Sequence, residues 1–218
     1  MTNDSNDTSG TATGTGPQRV AVIGPGNVGS QLVRGFARAG HQVSVGARDA
    51  AKAAELARLD GVDVLDPAAA AAAADVVVLT VPVVALAETV AGLGDLDGKV
   101  LVDATNAVGV PVPGGHPTVG AHVAGLAPTA SVVKAFNTIG AEHLADGTIA
   151  GRAVFLPVAG DDRGRPAVVA LAESVGFEVA DLGGPEAVEL VEDTARLWIH
   201  LAFRCGWGRD FGFGVLRP

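Results

Sequence analysis

Residues 19–52, RVAVIGPGNVGSQLVRGFARAGHQVSVGARDAAK, read as a strand, a glycine turn, a helix and a second strand that ends beside a basic residue. The apolar run 19–23 is strand-like, and Gly24-Pro25-Gly26-Asn27-Val28-Gly29 follows it with the spacing of a dinucleotide fingerprint. Gly24 permits the tight turn, Gly26 lets the backbone approach a pyrophosphate, and Gly29 lets the helix pack closely on the strand. A pyrophosphate there meets free N–H groups and the positive end of the helix. Val28, Leu32, Val33 and Phe36 then form an apolar stripe, Gly40 ends the helix, and 41–45 supplies the next strand.

A glycine turn of this kind carries weight through its context, because a chain with 30 glycines can produce one by chance. The end of the second strand selects the cofactor. A site for NAD places Asp or Glu there to bind the ribose 2′-OH, whereas this chain has Gly46-Ala47-Arg48 and then Lys52. A carboxylate repels a 2′-phosphate and a guanidinium grips one, so the expected ligand is NADP(H). The competing reading makes Arg48 and Lys52 ordinary surface charges on a helix capped by Asp49.

Outward from this unit, strand patterns at 62–65, 75–81, 99–103 and 131–135 alternate with helices expected over 50–59, 67–74, 83–93 and 117–126. Alternation of this kind implies a Rossmann-type α/β fold, doubly wound on a mainly parallel sheet, with a small C-terminal lobe of strand and helix. The expected partition is a tail over 1–17, an NADP-binding domain over 18–150 and the lobe over 151–218. The tail is polar and lacks both the basic start and the apolar stretch of a secretory signal, so it reads as disordered. In the lobe, strands are expected at 153–158 and 177–181, followed by a long helix whose buried stripe is Val188, Val191, Ala195, Trp198 and Ala202. Glu192 and Arg196 read as a solvated face with ion pairing, while His200 and Arg204 could reach a polar ligand.

Composition removes several function classes. The 218 residues are 48% hydrophobic and 18% charged, as in a well-buried α/β protein, and the formal net charge of −9 argues against a nucleic-acid partner. No uninterrupted apolar stretch is long enough for a bilayer, since the longest candidate contains Glu192, Asp193, Arg196 and His200. The single cysteine, Cys205, forms no internal disulfide and has no metal-ligand spacing around it, so no metal site is expected and a reducing cytoplasm is the default.

Strand ends carry the remaining site candidates. Thr80-Val81-Pro82, Thr105-Asn106 and Ala135-Phe136-Asn137-Thr138 all fall toward the edge where such sheets bind ligands. Proline opens space for a flat ring, while Thr and Asn supply neutral donors and acceptors, so Thr80, Val81, Pro82, Asn106, Ala135 and Asn137 are candidates for the nicotinamide side. Each could equally satisfy its own turn backbone. Lys134 lies inside a predicted strand and is not read as catalytic; His116 and His122 read as loop histidines.

Taken together, GPGNVG, GAR with its later lysine, LTVP, DATN, VVKAFNTIGAE, AGDD and LWIHLAFRCGWGRDFGF resemble the NADPH-dependent reductases of coenzyme F-420 over about residues 19–216. The VKAFN stretch also resembles the NADPH-binding domain of membrane metalloreductases, which pass hydride to a flavin. The resemblance implies hydride transfer between NADP and a 5-deazaflavin, chemistry the cofactors carry, and no catalytic acid–base pair stands out among the residues. It also implies that Pro25, Gly26, Asn27 and Val28 lie at the pyrophosphate, Ala47, Arg48 and Lys52 at the 2′-phosphate, and Val81, Asn106 and Ala135 toward the nicotinamide. Ala47 departs from the serine common in that family and removes a hydroxyl donor. The expected partner is a small-molecule hydride acceptor or donor. Open alternatives are an NADPH-dependent reductase of a flavin or another small molecule, and an NADP-binding protein without turnover. The aromatic residues Trp198, Phe203, Trp207, Phe211 and Phe213 could pack internally or form a homodimer contact.

Overall fold

The computed structural model describes residues 16–218; the rest of the expected tail, 1–15, lies outside the described residues. The strands are β1 (Arg19–Ile23), β2 (Gln42–Gly46), β3 (Val62–Leu65), β4 (Val76–Leu79), β5 (Val100–Asp103), β6 (Ser131–Lys134), β7 (Thr148–Ile149), β8 (Arg152–Ala153), β9 (Phe155–Gly160) and β10 (Glu178–Asp181). The helices are α1 (Asn27–Arg38), α2 (Pro67–Ala73), α3 (Leu86–Ala91), α4 (Val119–Leu126), α5 (Arg165–Val175) and α6 (Val188–Phe203). Eight strands form one sheet in the order β10-β9-β6-β5-β4-β1-β2-β3, and β7 pairs with β8 as a separate short hairpin. Every neighbour pair in the large sheet is parallel except β6 with β9.

Side-chain alternation splits the core in two. On one face Val20, Val22, Val76, Val78, Val102 and Val133 pack with Leu32, Val33 and Phe36 of α1 and with Val168, Leu171 and Ala172 of α5. On the other, Ala21, Ile23, Val77, Leu79 and Leu101 meet Ala70 and Ala71 of α2, Leu86 and Val90 of α3, and Val119 and Val123 of α4. Successive residues of β1 and β4 thus belong to different cores, which is why these strands read as continuous apolar runs. Each fully buried aliphatic side chain contributes about 1.5–3 kcal/mol of transfer free energy, so both faces hold helices firmly.

Local signals are realised closely in most elements. Asp66 accepts from the Ala68 N–H at 3.0 Å with Pro67 in the first turn of α2, and Gly40, at φ 86°, takes the chain out of α1. The helix expected over 50–59 is instead two 3₁₀ turns, Ala50–Ala53 and Leu56–Arg58. Their buried residues, Ala53 and Leu56, are three apart, matching the 3₁₀ period, and Gly61 turns the chain into β3 before a long helix could develop.

The segment expected as a C-terminal lobe contributes to the same large sheet. β9 pairs antiparallel with β6 through Val133–Gly160 and Lys134–Ala159, β10 continues parallel to β9, and α6 packs on β9. The predicted stripe of α6, Val188, Val191, Ala195, Trp198 and Ala202, is buried in full. Trp198 stacks on Phe211 at 5.2 Å and donates its indole N–H to the Phe211 carbonyl, while Phe203 and Trp207 remain exposed. Cys205 is a free, exposed thiol. Among the described residues no helix is long and apolar enough to cross a membrane.

His41 locks the start of β1 to α5. Its Nδ1 accepts the Gln18 N–H at 3.0 Å, and its Nε2 lies 2.9 Å from Ser174 Oγ, whose own proton goes to the Leu171 carbonyl. That arrangement requires a neutral ring protonated on Nε2. Burial lowers the His41 pKa, and burial together with His116 lowers that of His122. The unfolded chain therefore binds protons that the folded chain refuses. The associated stability is present above the unfolded histidine value of about 6.5 and is lost as pH falls below it. Thermal unfolding at about pH 7.5 and 5.5 should show a drop in midpoint that shrinks in His41→Asn; identical drops would remove His41 from the pH dependence.

Candidate functional site

The fingerprint turn is built by its glycines and one threonine. Gly24 sits at φ 109°, a left-handed backbone that glycine adopts freely, and its N–H donates to the Gly46 carbonyl at 3.1 Å. The Thr80 hydroxyl lies 2.9 Å from the Ile23 carbonyl and 2.8 Å from that of Gly24, so its single proton is shared between them and the turn is braced from β4. A Cβ on Gly29 would fall 2.0 Å from the Gly24 carbonyl oxygen, whereas among the described residues nothing lies within 4 Å of the Cβ position on Gly26. Gly29 is thus required by packing, whereas the Cβ position on Gly26 is open.

Gly26 stands at the start of α1. Gly26 caps this helix without a side-chain hydrogen bond among the described residues, and the Ser30 N–H donates to the Gly26 carbonyl at 2.8 Å. The N–H groups before Ser30, in the turn Asn27-Val28-Gly29, have no acceptor within the helix. They carry the partial positive charge of the helix end. This turn lies where the sheet order reverses, with β1 between β4 and β2, the crevice at which doubly wound sheets bind ligands.

A cavity of about 480 Å³ opens at that crevice, walled by Gly24, Pro25 and Gly26 on one side and by Ala47, Arg48 and Lys52 on another, with Thr80, Val81 and Pro82 along the β4 end. Asp49, Asp66, Pro67, Glu88, Thr89 and Gly92 complete the wall. Asp49 and Asp66 are engaged in capping the Ala51 and Ala68 N–H groups. Glu88 faces Arg48 at 3.5 Å, with both side chains more than four-fifths exposed, so the pairing is weak and exchangeable. Sequence reading did not single out Glu88 as a wall residue. It sits on the short surface helix α3, and only the fold brings that helix opposite the end of β2.

The nicotinamide-side candidates form a second group at the ends of β5 and β6. Asn106 Nδ2 donates to the Asn137 carbonyl at 2.7 Å, and Asn137 Nδ2 donates to Asn106 Oδ1 at 3.1 Å. Ala135 is fully buried beneath them. Asn137 and Thr138 are both buried, and among the described residues neither Asn137 Oδ1 nor Thr138 Oγ1 has a hydrogen-bond partner, an unusual cost that a ligand's donor would offset.

Two sequence expectations need correction here. Glu192 is not on a solvated face: it is 8% exposed, pairs with Lys134 and accepts the Gly120 N–H at 3.1 Å. A step of four along α6 is also the step of the buried stripe's flank, so periodicity alone could not tell a solvated charge from a paired buried one. His122 lies on α4, buried and 5.3 Å from His116 between ring centres, not in a loop. Arg196 does pair along the helix, with Asp193, and His200 and Arg204 stay exposed.

Comparison with known proteins bears on the family and the fold. The family model for coenzyme F-420-dependent NADP oxidoreductases matches residues 19–107. A solved structure from Arthrobacter sp. FB24, provisionally designated an F-420-dependent NADP-reductase, is 28% identical, with 92% of this chain and 100% of that chain covered and a TM-score of 0.80. A hypothetical protein from Sinorhizobium meliloti is 32% identical over 77% of this chain and 85% of its own, with a TM-score of 0.69. A reductive aminase from Aspergillus terreus, solved with NADPH and ethyl-5-oxohexanoate, shares the fold at 22% identity and a TM-score of 0.66. The match covers 88% of this chain and 64% of that enzyme.

Proposed function

The chain belongs to the family of coenzyme F-420-dependent NADP oxidoreductases, and on that premise we propose that it passes hydride between NADP(H) and the deazaflavin F-420. The observation that supports this reading is the cavity whose walls pair an uncapped helix start with Arg48 and Lys52. The dimensions of roles follow from the residues. Gly26 leaves room for a pyrophosphate against the first turn of α1, as its open Cβ position indicates. Arg48 and Lys52 bind a 2′-phosphate from the end of β2, Arg48 exchanging Glu88 for it.

Val81, Pro82 and the Asn106–Asn137 pair hold the nicotinamide ring at the strand ends, where neutral amides orient it without protonating it. The two bound cofactors supply the redox chemistry themselves. The protein's share is to align the rings and exclude water, which asks for no acid–base pair. His200 of α6 and Arg204, just past its end, remain available to a polar or anionic ligand.

Anaerobic stopped-flow oxidation of NADPH by F-420, and separately by FMN, tests the reading. Rapid transfer to F-420 with slow or absent transfer to FMN is the expected result. Transfer to FMN alone would reassign the protein as a flavin reductase, and tight NADPH binding with neither transfer would leave it a binder or a reductase of another substrate class.

A further inference from the structure

Lys134 ends β6 with its side chain wholly buried, and its ammonium faces Asp103 Oδ2 at 2.8 Å, the Thr105 carbonyl at 2.7 Å and Glu192 Oε1 at 3.3 Å. Two of the ammonium's three N–H donors are hydrogen bonded, to Asp103 and to the Thr105 carbonyl, and Glu192 stands beside them as an ion pair. A buried charge persists only when paired and hydrogen bonded, and here the partners come from three places: β5, the loop after it, and α6. Asp103 is tied further, its Oδ1 accepting the Thr105 N–H at 2.9 Å and the Thr105 hydroxyl at 2.7 Å. Glu192 in turn accepts the Gly120 N–H in the first turn of α4.

The clamp leads directly to the Asn106–Asn137 pair. Asn106 follows Thr105, whose amide, hydroxyl and carbonyl are all engaged. Asn137 follows Lys134 by three residues, across Phe136 at φ 62°, a left-handed backbone that a bulky residue keeps only when its surroundings over-determine it. Lys134 fixes the chain before this strained residue, and the paired amides fix it after.

We infer that Lys134 is a positioning residue: with Asp103 and Glu192 it holds the 103–106 and 134–137 segments so that Asn106 and Asn137 present fixed amides to the nicotinamide, and it makes their placement depend on the docking of α6. This inference rests on the assignment of that amide pair to the nicotinamide side in the proposed function.

The test replaces all three charges together, Lys134→Met with Asp103→Asn and Glu192→Gln, so that no unpaired charge is left buried; Glu192→Gln alone, which keeps the Lys134–Asp103 pair, is the second variant. Four readouts are compared with the unmodified protein: thermal midpoint, affinity for 2′,5′-ADP, nicotinamide fluorescence of bound NADPH, and single-turnover hydride transfer to F-420. In a folded triple variant, 2′,5′-ADP, which fills only the Arg48 half, should bind within about twofold, while hydride transfer falls by about tenfold or more and the bound fluorescence changes. Glu192→Gln should show the same split with a smaller loss, and it decides the matter if the triple variant does not fold. Unchanged fluorescence and rate, or parallel losses of 2′,5′-ADP affinity and hydride transfer, would overturn the inference. Failure of the functional reading looks different, because there the unmodified protein passes no hydride to F-420 while the fluorescence comparison still reports on Lys134.

Discussion

Replacing Arg48 with alanine should weaken NADPH binding by about 10- to 100-fold while changing NADH binding by less than about threefold. The range follows from losing charge-assisted hydrogen bonds to a dianionic 2′-phosphate, each worth about 1.5–3 kcal/mol, with Lys52 retaining part of the attraction. Arg48 stands at the end of β2 on the cavity wall, exposed and held only by a 3.5 Å contact with Glu88. Its loss should therefore leave the fold unchanged. Glu88→Gln should act oppositely, tightening NADPH by up to about fivefold, because the competing carboxylate is removed from a solvent-screened pair. Titration of both nucleotides by fluorescence, repeated at higher salt, checks this, since the Arg48 effect should shrink as salt rises. Equal losses for NADPH and NADH in Arg48→Ala would break the link between Arg48 and the 2′-phosphate.

The second large effect separates two glycines of one motif. Gly29→Ala places a Cβ 2.0 Å from the Gly24 carbonyl oxygen and 2.7 Å from Thr80 Oγ1, so α1 must move away from β1. Overpacking of this severity costs on the order of 3 kcal/mol, a fall in unfolding midpoint of roughly 6–12 °C for a chain of this size. Gly26→Ala meets nothing within 4 Å among the described residues and has an ordinary backbone at φ −77°. Its midpoint should stay within about 2 °C, because a surface methyl at an unstrained position changes stability by about 0.5 kcal/mol or less. The same methyl would nevertheless stand where the pyrophosphate approaches, and NADPH affinity should fall about tenfold or more. If Gly26→Ala bound NADPH normally, the phosphates would have to lie elsewhere on the crevice. If Gly29→Ala were as stable as the parent, the close approach of α1 to β1 would be wrong.

The contrast between those glycines marks where sequence reading stops. The pattern GPGNVG marks both positions alike; only the distances show that a side chain at Gly29 would collide with Gly24 while one at Gly26 would meet open space. Arg48 and Lys52 were legible because their place at the end of β2 depends only on counting along one strand. Glu88 was not, since it reaches the cavity from α3, forty residues farther along the chain than Arg48. Thr80 reads from the sequence as a ligand contact; in the structure its hydroxyl braces the glycine turn, a role set by β4 lying beside β1.

Residues 19–52 by themselves determined the strand, glycine turn, helix and second strand and the cationic end of β2, and the alternation continuing to residue 135 pointed to the doubly wound class, because periodicity, glycine placement and charge are properties of neighbours in the chain. The buried stripe of α6 was equally local. Tertiary structure alone decided that β9 returns antiparallel to β6 and that Glu192 meets Lys134, itself paired with Asp103, in the core. A charge on a helix is solvated or buried according to what packs against it. That partner lies 58 residues away for Glu192, beyond the reach of any pattern within the helix.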